Sequence, residues 1–366
     1  MARIERGPMR WLRHLDPILL MLVLAVLAIS VAVMTSASGQ STARISGHLI
    51  NIGLALAVMV VMANVPPHLL SKAGPPLYVV GVVLLVGVAL FGEIRNGSRR
   101  WLDFGVIAFQ PSELLKLALP LMLAWYFQRN EAVLGSRHFA IGGVLLLLPF
   151  LLILRQPDLG TALMIGASGF YLLFFAGLPW KVILAGGVLG GASLPLAWRF
   201  MHDYQQQRVL MLLDPASDPL GAGYHIIQST IAIGSGGLFG KGWMEGTQNQ
   251  LDFIPERTTD FIFAVFGEEF GYVGAILLAA LYLAIVARGL TIAARAPTQF
   301  GRLMAATLSL NLFTYVFVNM GMVSGILPVV GVPLPLMSYG GTALVTLLLG
   351  MGILMSVATH RQLNKT

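Results

Sequence analysis

The sequence predicts an all-α polytopic membrane protein. It has ten transmembrane helices in a single integral membrane domain over residues 1–366, a long extracytoplasmic loop at 200–260 between the seventh and eighth helices, and both termini in the cytoplasm. Three observations lead there. First, 57% of the residues are hydrophobic and only 11% charged, under half the ~25% charged share of soluble domains. Second, the mean hydropathy is +0.80. Third, the apolar residues gather into runs approaching the ~20 that a membrane helix needs. The same composition excludes a disordered chain, which needs low hydrophobicity and high charge. There is no cysteine, so disulfides, thiolate metal sites and thiol nucleophiles are excluded. A net charge of +7 is small for a nucleic-acid binder, and no nucleic-acid partner is expected.

The spans are read near 17–36, 47–65, 74–91, 111–127, 139–154, 161–178, 181–199, 261–287, 301–322 and 340–358. Stretches such as Ile18 to Val33 and Leu145 to Leu154 are apolar without alternation, which selects helices over barrel strands. Pro149 and Pro179 shape the ends of the short fifth and sixth spans. Basic residues set the orientation. With a cytoplasmic N-terminus the inner segments hold 13 Lys and Arg against 3 acids, leaving 10 basic and 13 acidic residues outside. The first span resembles a signal peptide ending at Ser36–Ala37–Ser38, but nine further spans make a retained helix the expectation. No internal repeat suggests the duplicated halves common in transporters. Gly186–Gly190, Gly187–Gly191 and Gly267–Gly271 have the spacing of close helix packing.

Polar residues concentrate in three outer segments: Glu93 to Ser112, Arg155 to Asp158, and Phe200 to Asp260. A connector as long as the third is usually functional. The working face is therefore expected outside the bacterial cytoplasmic (inner) membrane, where no ATP is available to drive a reaction. In Phe109 to Lys116, Pro111 suits the first helical position and Glu113 the positive end of the helix dipole. Glu113 and Lys116 share a face, either as a structural ion pair or as the wall of a polar substrate cavity with Gln110 nearby. Asp260 ends the long loop, and is either a helix cap or a general base with a desolvated carboxyl. If the helix begins at Asp260, Glu268 lies about 80° around from it and is the one of the Glu268–Glu269 pair able to share its cavity. Asp158, in a Pro–Asp turn, reads first as a cap. Arg99, Arg100, Arg208, Lys241 and Arg257 are solvated surface charges or phosphate contacts. Trp101 is an interfacial anchor or a sugar-stacking ring. The run Gly234 to Gly242 fails as a phosphate loop, lacking glycine at Ser235 and a hydroxyl at Gly242. The seven histidines are scattered without a metal-binding pattern, and no cofactor is read from the residues alone.

Six stretches together resemble the SEDS family of membrane glycosyltransferases. They are 97–116 (GSRRWLDFG to FQPSELLK), 156–161 (QPDLGT), 204–229, 234–243 (GSGGLFGKGW), 250–269 (QLDFIPERTTDFIFAVFGEE) and 325–341 (GILPVVGVPLPLMSYGG). The Gly-Trp loop, IPERTTDF and VVGVPLP favour the elongation branch over the division and sporulation branches. The resemblance implies polymerisation of lipid II into β-1,4 glycan strands on the outer membrane face. The growing strand would be linked to undecaprenyl diphosphate. Implied partners are a class B penicillin-binding protein, as transpeptidase, and MreC and MreD. The family's essential aspartate falls on Asp260, its Glu–Lys pair on Glu113 and Lys116, its tryptophan on Trp101 and its QPDLGT aspartate on Asp158.

On this reading Asp260 takes a proton from the acceptor's C4 hydroxyl during a single inverting displacement at the anomeric carbon, and a second carboxylate is unnecessary. Lys116, Arg208, Arg99 or a divalent cation (Mg or Mn) would neutralise the departing diphosphate. The rival readings are a lipid II flippase and a non-catalytic scaffold for the transpeptidase.

Overall fold

A computed structural model describes residues 13–95, 98–103, 108–156, 158–201, 203–218 and 222–360. A helix occupies each stretch read as a span: α1 (Pro17–Ala37), α2 (Thr42–Ala63), α3 (Pro67–Phe91), α4 (Pro111–Arg129), α5 (Ser136–Leu154), α6 (Leu159–Phe175) and α7 (Trp180–Phe200), then α11 (Ile262–Arg295), α12 (Gln299–Val323) and α13 (Gly341–Thr359). Between α7 and α11 come α8 (Asp203–Leu213), a 3-10 turn at Pro215–Ser217, α9 (Ala222–Ser235) and the single turn α10 (Thr247–Gln250). Among the described residues seven helices are long and apolar enough to cross a membrane: α1, α2, α3, α5, α11, α12 and α13. The apolar parts of α6 and α7 are shorter, and α4 carries Glu113 and Lys116 in its first turns.

Several helix starts follow from local chemistry. Asp16 accepts from the Leu19 amide (2.9 Å) ahead of Pro17, Asp158 from Thr161 (3.1 Å) and Thr298 from Gly301 (3.1 Å), so α1, α6 and α12 each have a side-chain cap. The third helix begins at Pro67 rather than near 74. Pro75 and Pro76 lie inside it and break the apolar run without ending the helix. The segment read as the first outer loop pairs into a small antiparallel sheet, β1 (Glu93–Arg95), β2 (Ser98–Asp103) and β3 (Ala108–Phe109), with Ile94 opposite Arg99 and Leu102 opposite Phe109.

The core lies around α12, which packs on α4, α6, α11 and α13. In α12 and α13 56% of the apolar window is buried, against 17% in α5. Helices α2 and α13 touch backbone to backbone: a Cβ on Gly352 would stand 2.5 Å from the Met59 carbonyl oxygen. The close contact expected of the α7 glycines is not found. Among the described residues nothing comes within 4 Å of a Cβ placed at Gly186, Gly187, Gly190 or Gly191, because α7 stands at the periphery. The expectation holds at Gly267 and Gly271, against the end of α9 and the turn that follows. Gly271 bends α11 with φ 66° and ψ −166°, and a Cβ there would lie 2.3 Å from the Gly240 nitrogen. Only a residue tolerant of positive φ and lacking a side chain fits that position.

Candidate active site

The approach to Asp260 is a compact turn. Glu256 has φ 47°, and its carbonyl accepts from both Thr259 N (3.0 Å) and Phe261 N (3.3 Å). Three successive carbonyls are then held from outside the turn. Tyr339 N donates to Thr258 O (2.8 Å), Ser338 Oγ to Thr259 O (2.7 Å) and Asn319 Nδ2 to Asp260 O (2.8 Å). Asn319 is fully buried and gives its second amide hydrogen to Val332 O (2.7 Å). The peptide carrying Asp260 is thus fixed by α12 and by the 332–339 segment that leads into α13.

Asp260 is not the cap of α11. The N-cap is Phe261, which makes no side-chain capping bond, because the turn closes one residue later than expected. The Asp260 side chain is half-buried at the amide end of α11, and Oδ2 lies 3.5 Å from a Cβ placed on Gly331. His225, on α9, packs tilted against Phe261 with ring centroids 5.6 Å apart. Burial pushes its imidazole below the usual value, against the opposing pull of Glu256.

Glu113 and Lys116 pair at 2.5 Å on α4. They line a narrow cavity with Ser168 of α6, Asn311 and Tyr315 of α12 and Pro333. The Lys116 ammonium stands 5.6 Å from the Tyr315 ring centroid. The cavity holds about 60 Å³, so the pair stands in a narrow slot. Asp260 is not among its lining residues. The two are joined by one segment: Gly331 abuts Asp260 and Pro333 closes the slot. The same segment rests on the start of α6, where a Cβ on Gly160 would meet the Val330 carbonyl at 2.6 Å.

Other expected residues are distributed as follows. Asp158 caps α6, as its plainer reading required, and accepts from Gln110 Nε2 (3.3 Å). Glu268 does not line the Glu113–Lys116 slot. Fully buried, it accepts from Lys241 Nζ (2.7 Å), Thr247 Oγ1 (3.2 Å), Gln248 N (2.9 Å) and Asn249 N (3.2 Å). Glu269 accepts from Ser36 Oγ of α1. These bonds supply the partners that two adjacent intramembrane carboxylates demand, and they fasten the 241–249 segment to α11. Arg257 pairs with Asp252 and donates to Asn249 O (2.6 Å). Trp101 is half-buried on β2, opposite Glu93. The side chains of Arg99, Arg100 and Arg208 lie outside the described residues. Among the described residues no three His, Asp or Glu side chains converge to hold a metal ion.

Sequence reasoning passed over Asn311, Tyr315 and Asn319. Their spacing of four puts them along one face of α12, a polar stripe inside an otherwise apolar span, and that was the available signal. Asn311 donates to Ser168 Oγ (3.0 Å), Tyr315 lies under Lys116, and Asn319 holds the Asp260 peptide. One helix face therefore runs from the ion pair to the aspartate.

The pattern of the FtsW/RodA/SpoVE family, described as a cell cycle protein, matches residues 13–363. The chain belongs to that family. This FtsW/RodA/SpoVE member is 56% identical to the peptidoglycan glycosyltransferase MrdB of Escherichia coli K12 over 351 residues, covering 96% of this chain and 95% of that protein. Its fold is similar to a chain in a solved peptidoglycan synthase complex that coordinates polymerization and crosslinking, with a TM-score of 0.82, 34% identity, and 95% and 99% of the two chains covered. It is also similar to a crystal structure of the rod shape determining protein RodA of Thermus thermophilus carrying an aspartate-to-alanine mutation. There the TM-score is 0.73 and the identity 29%, with 95% and 99% covered.

Proposed function

We infer that this family member is a membrane-embedded peptidoglycan glycosyltransferase. The observation that carries the inference is the likeness, over nearly the whole chain, to a protein named for that activity. The substrate is lipid II, and the product a β-1,4 glycan strand carried on undecaprenyl diphosphate.

Asp260 is the proposed general base. Its carboxylate takes the proton from the C4 hydroxyl of the acceptor as that oxygen forms a bond to the anomeric carbon of the growing strand. The bond from that carbon to the diphosphate oxygen breaks, and undecaprenyl diphosphate leaves with the electron pair. An α-linked diphosphate becomes a β glycoside in one inverting step, so one base suffices. What supports the role is the seat of the residue: the carbonyls of Thr258, Thr259 and Asp260 are each held from outside the turn, and the Asp260 carboxylate lies beside Gly331, in the segment that also lines the Glu113–Lys116 slot. Lys116 is assigned the neutralisation of diphosphate charge, with Tyr315 beneath it. The mechanism routes no step through a metal ion.

The finer topology is part of the same proposal. The ten helices named above span the cytoplasmic membrane, both termini are cytoplasmic, and the 200–260 loop with Asp260 faces outward. A class B penicillin-binding protein transpeptidase, with MreC and MreD, is the proposed company of the chain. The test is incubation of purified wild-type and Asp260→Ala protein with lipid II, with and without chelator, read on a gel. A base contributes about 10²–10⁴-fold, so the variant should lose nearly all polymer while remaining folded. Near-wild-type polymer from Asp260→Ala would refute the assignment, and translocation without polymer from the wild type would make the chain a flippase.

A further inference from the structure

A second cavity lies at the end of the molecule remote from Asp260. It is bounded by the starts of α3 and α12 and the ends of α4 and α13, and it measures about 730 Å³. Helix α4 gives the separation: Glu113 and Lys116 occupy its first turns, whereas Trp125, Gln128 and Arg129 of its last turn line this cavity. Four basic or imidazole side chains converge on it, Lys72, Arg129, His68 and His360, and among the described residues no carboxylate lines it.

Some cations at this end of the molecule are paired and others are not. Arg288 is paired with Asp16 (2.5 Å) and Arg302 with Glu131 (3.3 Å). Lys72 and Arg129 make no ion pair among the described residues, and Arg129 instead lies over the Trp125 ring, 5.5 Å from its centroid. Cations that merely record topology need no shared concavity. Here two of them face one space that also takes in Thr298 to Gly301, the amide end of α12, whose dipole adds to the positive potential. The floor is apolar, with Pro66, Pro67, Phe300 and Val357.

We propose that this cavity is a binding site for an anionic phosphate-bearing ligand, held by Lys72 and Arg129. Basic pockets between membrane helices on the cytoplasmic side suit the headgroups of acidic phospholipids. The volume exceeds the need of a bare phosphate ion, and the apolar floor suits the glycerol backbone of a lipid. Free phosphate shares the recognising chemistry, and the experiment tells the two sources apart. The site is independent of the glycosyltransferase reading and lies at the opposite face.

The test uses the purified full chain, stripped with detergent and then offered mixed phosphatidylglycerol and phosphatidylcholine, with retained lipid read by native mass spectrometry. The wild type should keep phosphatidylglycerol in preference. Lys72→Gln with Arg129→Gln should lower its retention on the order of tenfold. Arg137→Gln with Lys181→Gln makes the same charge change at exposed positions outside the cavity and should retain lipid as the wild type does. An unchanged thermal midpoint shows that the double variant is folded, and Lys72→Arg with Arg129→Lys should restore retention. Should the double variant not fold, Lys72→Gln alone carries the test, since Lys72 is exposed. Displacement of the lipid by millimolar inorganic phosphate identifies free phosphate as an occupant; resistance to it identifies the headgroup. Equal retention by wild type and the cavity variant, or equal loss in the Arg137/Lys181 control, overturns the proposal.

Discussion

With no exposure to solvent and both amide hydrogens bonded to main-chain carbonyls, Asn319 positions Asp260 without touching its carboxylate. Asn319→Ala leaves the buried Val332 carbonyl without this donor, at about 1–3 kcal/mol, and releases the part-buried Asp260 carbonyl. Polymerisation should fall on the order of tenfold or more through kcat, with KM for lipid II little changed, because a base displaced by a fraction of an ångström still permits binding. A fall in KM-dependent binding with kcat intact would remove Asn319 from this role. His225 offers a second check. Its folded value is depressed, so its contribution to stability is complete above the ordinary imidazole value of about 6.5 and is lost as pH falls through the folded value. Between about pH 7.5 and 5 the thermal midpoint of the wild type should drop more steeply than that of His225→Gln. At this scale the sequence disclosed the residues that sit in motifs, Asp260, Glu113, Lys116 and Asp158. It did not disclose Asn319, whose partners lie 59 and 13 positions away and are main-chain atoms with no identity of their own.

Among the elements, the bent start of α11 and the segment fastened to it behave as one unit. Glu268 receives four donors from residues 241–249, and the turn after α9 presses on the kink at Gly271. Glu268 is fully buried while Lys241 stays partly exposed and keeps its bond to Thr247, so Glu268→Ala should cost about 1–3 kcal/mol. Lys241→Ala combined with it should cost clearly less than the two single changes together, and thermal unfolding of all three variants in detergent measures that coupling. Additive losses would mean that the pair does not act as a unit. The helices were readable because long apolar runs without alternation select helix over barrel strand. Three features resisted: α3 continues past a Pro pair, residues 93–95, 98–103 and 108–109 pair as a short sheet, and α11 begins after Asp260 rather than at it. Each depends on contacts made elsewhere in the fold, which local pattern does not encode.

Considered whole, the molecule has two polar ends joined by an apolar middle. Asp260 and the slot lie at one, and the Lys72–Arg129 cavity at the other. Because the chain has no cysteine, single-cysteine variants map its orientation without background. Leu251→Cys, 62% exposed in the long loop, should react with an impermeant maleimide in intact spheroplasts. Lys72→Cys should react only after permeabilisation. The opposite pattern would invert the topology and move the active face inward.

The slot itself sets a condition on turnover. Its free volume of about 60 Å³ is small beside a saccharide, and its walls belong to α4, α6, α12 and α13. If Lys116 is to reach a diphosphate, those walls must part and reclose once for every unit added. Synthesis on this scaffold is then a mechanical cycle as well as a chemical one, with a stroke between successive bonds.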